Sequence, residues 1–94
     1  MAIFIVRVEL HNGEISDYDI LHALMNGEGF SKRITKNNET FNLPEAEYYI
    51  DKDFNIKQIE ALVKICANET RKKYEILISE TVNISFFNLS KVKD

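Results

Sequence analysis

The chain has 94 residues, room for one domain (residues 1–94) and one modest core. Its residues are 45% hydrophobic, with six Phe, four Tyr, three Gly and one Pro, which excludes a disordered or low-complexity chain. Twelve basic against fifteen acidic residues give a net charge of −3, so the overall positive field of a typical nucleic-acid binder is excluded and only a local basic patch is left open. The lone cysteine, Cys66, has no partner for an internal disulfide or a Cys-rich zinc site. No apolar run reaches the ~18–20 residues of a membrane span, and nothing resembles a signal peptide, so a cytoplasmic protein without a membrane partner is expected.

Ala2–Leu10 alternates as a strand, with Phe4, Val6, Val8 and Leu10 on one face and Ile3, Ile5, Arg7 and Glu9 on the other. His11-Asn12-Gly13-Glu14 reads as a turn. A helix follows, with Ser16 and Asp19 as a capping pair, Ile15 and Ile20 as a staple, and a stripe of Ile20, Leu21, Leu24 and Met25. Gly27 or Gly29 ends it. Phe30–Lys36 is predicted as a short strand, Asn37–Thr40 as the loop of a hairpin, and Leu43–Asp51 as the returning strand. Pro44 sits at that strand's start, where a missing donor is harmless.

The second helix starts near Asp53 or Asn55, with Asn55 and Gln58 as a capping box and Phe54 and Ile59 as a staple. Ile59, Leu62, Val63 and Cys66 fall at helical spacing, so Cys66 reads as a small core residue. A polar link over Asn68–Lys73 leads to a strand, Tyr74–Thr81, and then a short strand or tail over Ile84–Leu89. The order βαββαβ, with right-handed crossovers, predicts an α+β ferredoxin-like split-βαβ sandwich with both helices on one face of an antiparallel sheet. That architecture serves many functions and chooses none.

The chemistry-bearing residues are few. Asp51-Lys52-Asp53-Phe54-Asn55 opens like a calcium loop, but Ile56 and Leu62 stand where Gly and Glu are required. N-x-[ST] triplets at Asn38, Asn68, Asn83 and Asn88 reflect an Asn-rich composition. Glu9 with Glu14, and Glu45 with Glu47 on one strand face, are carboxylate pairs of the kind that does acid–base work or holds Mg²⁺, and equally of the kind that solvates an ordinary strand. No cofactor is expected. His11 and His22 titrate nearest neutrality, without metal-ligand spacing. Two basic clusters, Lys32/Arg33/Lys36 and Arg71/Lys72/Lys73, suit phosphate contacts, with Tyr48, Tyr49 or Tyr74 for base stacking. Solubilised strand edges explain them equally well.

Four stretches carry a resemblance: Phe4–His11, Tyr18–Met25 with Gly29-Phe30-Ser31, Leu43–Tyr48, and Lys73–Ile78. Together they resemble the family of small bacterial and phage proteins grouped with the GhoS antitoxin of type V toxin–antitoxin systems. The resemblance spans Phe4 to Glu80 and implies a ferredoxin-like fold similar to the CRISPR-associated Cas2 proteins. It also implies a sequence-selective endoribonuclease that silences a toxin transcript. Two residues before Leu24-Met25, where that family has a basic residue, this chain has His22, which can still bind phosphate or move a proton. Glu9 maps most nearly onto the acidic residue that the Cas2-like resemblance implies at the first strand's end.

Two functions follow. The first is an RNA-directed protein that cuts through the ribose 2′-hydroxyl. His11 or His22 would be the base or acid, with Arg7 or Arg33 stabilising charge and Glu9 as the acidic site residue. Lys32, Arg33, Lys36, Arg71, Lys72 and Lys73 would hold the RNA. The second is a non-catalytic homodimer, with a phage-encoded inhibitor as one variant, acting by protein contact through Ile3, Ile5 and Tyr49 on the open sheet face. A metabolic enzyme with a small-molecule cofactor is not expected, since the sequence has neither a glycine-rich phosphate loop nor a recognisable nucleophile–base pair.

Overall fold

In a computed structural model, which describes residues 2–92, the strict alternation at the start of the chain becomes the middle strand of a sheet. In chain order the elements are β1 (Ala2–Leu10), α1 (Ile15–Gly27), β2 (Arg33–Lys36), β3 (Glu39–Asn42), β4 (Glu47–Lys52), α2 (Ile56–Asn68) and β5 (Tyr74–Thr81). β1 pairs antiparallel with β4 on one side and β5 on the other. Phe4, Val6, Val8 and Leu10 share one core with Leu21 and Met25 of α1 and with Ile59, Val63, Cys66 and Ala67 of α2. Both helices therefore cover the same face of the sheet, and Arg7, Leu77 and Ser79 point away from it. The architecture is α+β, with two helices and antiparallel strands.

α2 forms as its sequence requires. Asn55 and Gln58 exchange side-chain bonds with each other's backbone N–H (2.8 and 2.9 Å), and Ile59, Val63 and Cys66 are buried. α1 starts earlier than expected. Its cap is Glu14, whose N–H donates to the Asp17 carboxylate (2.9 Å), and the Ser16–Asp19 pair is not used. Ile15 and Ile20 are exposed, so neither the staple nor the Ile20 part of the stripe forms; Leu21 and Met25 of that stripe are buried as expected, and Leu24 partly so. At its end the Phe30 N–H reaches Met25 O (3.0 Å) and the Gly29 N–H reaches Asn26 O (3.1 Å). This double bond pattern needs a left-handed residue, and Gly29 supplies it at φ +97°. Replacing Asn55 by alanine should cost about 1 kcal/mol of unfolding free energy. Ser16→Ala should change it by less than about 0.5 kcal/mol, as thermal denaturation of the two variants will show.

The middle of the chain departs from the expected layout. Asn37 and Asn38 both take positive φ (53° and 64°), which closes a two-residue hairpin turn, so Glu39 and Thr40 are strand and not loop. β2 and β3 form their own two-stranded ribbon, attached to the sheet through a Ser31–Tyr49 bridge beside β4. Leu43–Ala46 turns, with the Glu47 N–H on Pro44 O (2.9 Å), and β4 begins only at Glu47. Of the two readings of Ile84–Leu89, strand or tail, the structure takes the tail. Phe86 packs on Phe41 (centroids 5.0 Å), drawing the tail to β3, where Asn42 N–H meets Ser90 O and Val92 N–H meets Thr40 O (both 2.8 Å). On its way the tail, with Ile84 and Leu89, shares a groove of about 440 Å³ with Ile5 and Ser79. The open face is thus partly occupied by the chain's own end. Among the described residues, no helix is long and apolar enough to cross a membrane.

Candidate functional site

Tyr18 and His22 lie one turn apart on α1, so they share a face, their rings 6.1 Å apart. Tyr18 lies where β4 turns away from β1. The last bond there is Val8 N–H to Ala46 O (2.8 Å), and the next inward N–H, of Leu10, donates to the Tyr18 hydroxyl (3.0 Å). His22 sits between Tyr48 of β4 and Glu45 of the segment leading into that strand. Its Nδ1 meets the Tyr48 hydroxyl (2.5 Å) and its Nε2 meets a Glu45 carboxylate oxygen (3.0 Å).

Burial pushes the Tyr48 phenol well above the ordinary tyrosine range, and the Glu45 carboxylate adds to the shift. Tyr48 therefore keeps its hydroxyl proton at any ordinary pH. The Glu45 carboxylate can only accept, so His22 Nε2 carries a proton and donates a hydrogen bond to it, and in the neutral ring Nδ1 then accepts from the Tyr48 hydroxyl. The imidazole is held by a fully buried residue on one side and by a carboxylate two-thirds exposed on the other. Beside it lies a shallow groove of about 430 Å³ lined by His22, Ala23, Asn26, Phe30, Ser31 and Arg33, among others.

Lys32 closes the back of this cluster. Its ammonium donates to the carbonyls of Pro44, Glu45 (2.9 Å) and Glu47 (2.8 Å) and lies 5.0 Å over the Tyr48 ring. Burial lowers its pKa, with the carboxylates of Glu45 and Glu47 acting the other way. A lysine with three carbonyls on its ammonium is an internal tie, not a free phosphate contact.

The other expected residues separate. Arg7 and Glu9 form an ion pair on the open face, and Arg7 also binds Glu47 (2.9 Å). Glu9 first, then Glu47, holds the guanidinium above its usual value. Glu45 and Glu47 do not share a strand face: β4 starts at Glu47, so alternation never reaches Glu45, which turns to His22 while Glu47 takes Arg7. His11 pairs with Glu75 (2.9 Å) of β5, and β1 lies between it and the β4 side where His22 is bound.

The two basic clusters also stay apart. Arg33 and Lys36 are on the ribbon beyond β4, Lys36 facing Phe86 (5.8 Å to the ring centre). Arg71, Lys72 and Lys73 lead into β5 at the other edge, Lys72 lying 3.7 Å from the Asp17 carboxylate. Cys66 is buried, and burial raises its thiol pKa, so it is core and not a nucleophile. Among the described residues, no three of His, Cys, Asp and Glu are grouped to hold a metal ion. Sequence reasoning singled out Glu45 as a partner of Glu47 and Tyr48 as a stacking ring; their pairing with His22 is what it missed. No family model matches the chain, and neither does any curated protein.

Proposed function

We propose that the chain is an RNA-directed protein on a ferredoxin-like frame, an antitoxin-type endoribonuclease of the GhoS kind, working at the His22 groove. The observation that carries this reading is an imidazole held between Tyr48 and Glu45 at the lip of a groove that also presents Asn26, Ser31 and Arg33. Glu45 is exposed enough to swing aside, leaving the His22 Nε2–H for a phosphate or leaving-group oxygen. Arg33 is the cation for developing phosphate charge, because two carboxylates already engage Arg7. In the cut, the ribose 2′-hydroxyl attacks phosphorus and loses its proton to solvent. The bond to the 5′-oxygen breaks, and His22 protonates that oxygen.

A labelled RNA panel, with Mg²⁺ or with EDTA, tests this. The wild type should cut at least one RNA, His22→Gln and Arg33→Ala should each slow the cut on the order of 10²-fold or more, and His11→Ala should leave it unchanged. An intact panel, or equal losses for His11→Ala and His22→Gln in folded variants, would refute the assignment.

One observation favours a second reading, the non-catalytic homodimeric interaction protein. Leu77 is 65% exposed on the face where Ile3, Ile5 and Tyr49 are only half-buried. On that reading RNA is neither cut nor held, and pull-downs recover a protein partner whose capture Leu77→Lys abolishes.

A further inference from the structure

Among the described residues, the β3 and β4 edges carry backbone bonds to other segments of the chain, and the β5 edge carries none. On β4, the Tyr49 backbone is bonded in both directions to Ser31 (2.7 and 2.8 Å), and Lys32 takes the Glu47 carbonyl. On β3, the tail bonds Asn42 and Thr40. On β2, the Arg33 backbone is bonded to the Ser31 hydroxyl (3.0 and 3.1 Å). β5 differs. Its ladder to β1 continues the bond from His11 N–H to Lys73 O (2.7 Å), and the bonding pairs of an antiparallel ladder alternate. Glu75, Leu77, Ser79 and Thr81 therefore turn their backbone groups inward, and Tyr74, Ile76, Ile78 and Glu80 turn theirs outward. Among the described residues none of these outward groups has a hydrogen-bond partner.

Nor is the edge defended. Tyr74–Thr81 contains no Pro, Lys or Arg, and its centre is Ile76-Leu77-Ile78. Beside it runs an open groove of about 490 Å³, lined by Tyr74, Ile76 and Ile78 and, from α2, by Ile56, Glu60 and Lys64.

We propose that β5 pairs antiparallel with β5 of a second copy of this chain, about a two-fold axis at Leu77, joining two sheets into one. The strand is complementary to itself in that register. Ile76 faces the second copy's Ile78, Leu77 faces Leu77, Tyr74 faces Glu80 and Glu75 faces Ser79, so no like charges meet. The free N–H and C=O groups of Tyr74, Ile76, Ile78 and Glu80 all find partners, and the isoleucines extend the apolar floor of the groove. Because the β4 and β3 edges are already bonded, the contact closes at two copies and does not grow into a fibre. This inference does not depend on the RNA reading, and its test contains no RNA.

Sedimentation over a dilution series, with amide hydrogen exchange on the same samples, is the experiment. The wild type should sediment as a dimer, with Ile76 and Ile78 amides as protected as those of Leu77 and Ser79. Leu77→Lys and Leu77→Glu change an exposed side chain, so the monomer fold persists while like charges meet across the axis. Each should weaken dimerisation about tenfold or more, and mixing the two should restore it. Glu80→Pro, which removes an outward N–H and leaves the ladder to β1 intact, should also weaken it. A wild type that stays monomeric, or a dimer that all three folded variants leave intact with fast Ile76 and Ile78 amides, would overturn the proposal.

Discussion

Truncating Phe4 to alanine should lower the unfolding free energy by about 3–5 kcal/mol, read as a shift of the denaturant midpoint. Phe4 has no exposed surface, sits in the middle strand opposite Ile50 and Glu80, and belongs to the core that both helices cover. A domain of this size has only about 5–15 kcal/mol in total, so the variant should be close to unfolding at ordinary temperature. Ile5→Ala, one residue along but on the half-buried face, should cost clearly less. Equal losses at Phe4 and Ile5 would mean that the helices do not share the face assigned to them.

Alkali should unfold the protein through Tyr48. Its folded-state pKa is raised by burial and by Glu45, so above pH ~10 the unfolded chain releases a phenolic proton that the folded chain keeps. The stabilisation is complete below pH ~10 and is lost as pH climbs above it. Tyr49, raised by burial and by Asp51, has the same sign; Lys32, lowered by burial, has the opposite one. Both remain in Tyr48→Phe, so comparing that variant with the wild type isolates Tyr48. The wild type should lose stability more steeply above pH 10, with one tyrosinate appearing only as the chain unfolds. At neutral pH, Tyr48→Phe should cost about 1–3 kcal/mol, because His22 Nδ1 loses its donor in a part-buried place. Parallel pH profiles for the two proteins would show that the phenol is not held as described.

Local signals were legible and non-local ones were not. The alternation of β1 and the Asn55–Gln58 box of α2 are encoded within a few residues, and both appear as read. At α1, glutamate is an uncommon cap, so Ser16 drew the assignment. The true cap works because the Asp17 carboxylate reaches back to the Glu14 N–H. At the hairpin, two successive asparagines with positive φ make a turn two residues shorter than a generic polar loop. His22 could be singled out as titratable, but Glu45 and Tyr48 lie 23 and 26 residues away, and only the return of the chain into β4 brings them to it. Lys32 shows the same limit from the other side. Its charge is visible in the sequence, whereas the three carbonyls that occupy it are a product of the turn at Pro44.

The groove beside His22 is tested most directly by titrating the isotope-labelled protein with RNA and following its NMR spectrum. The expected result is a coherent set of shifts at the His22 ring, Asn26, Ser31 and Arg33, with His11 and Glu75 unmoved. Shifts confined to His11 and the Arg71–Lys73 edge, or none at any RNA concentration, would contradict it.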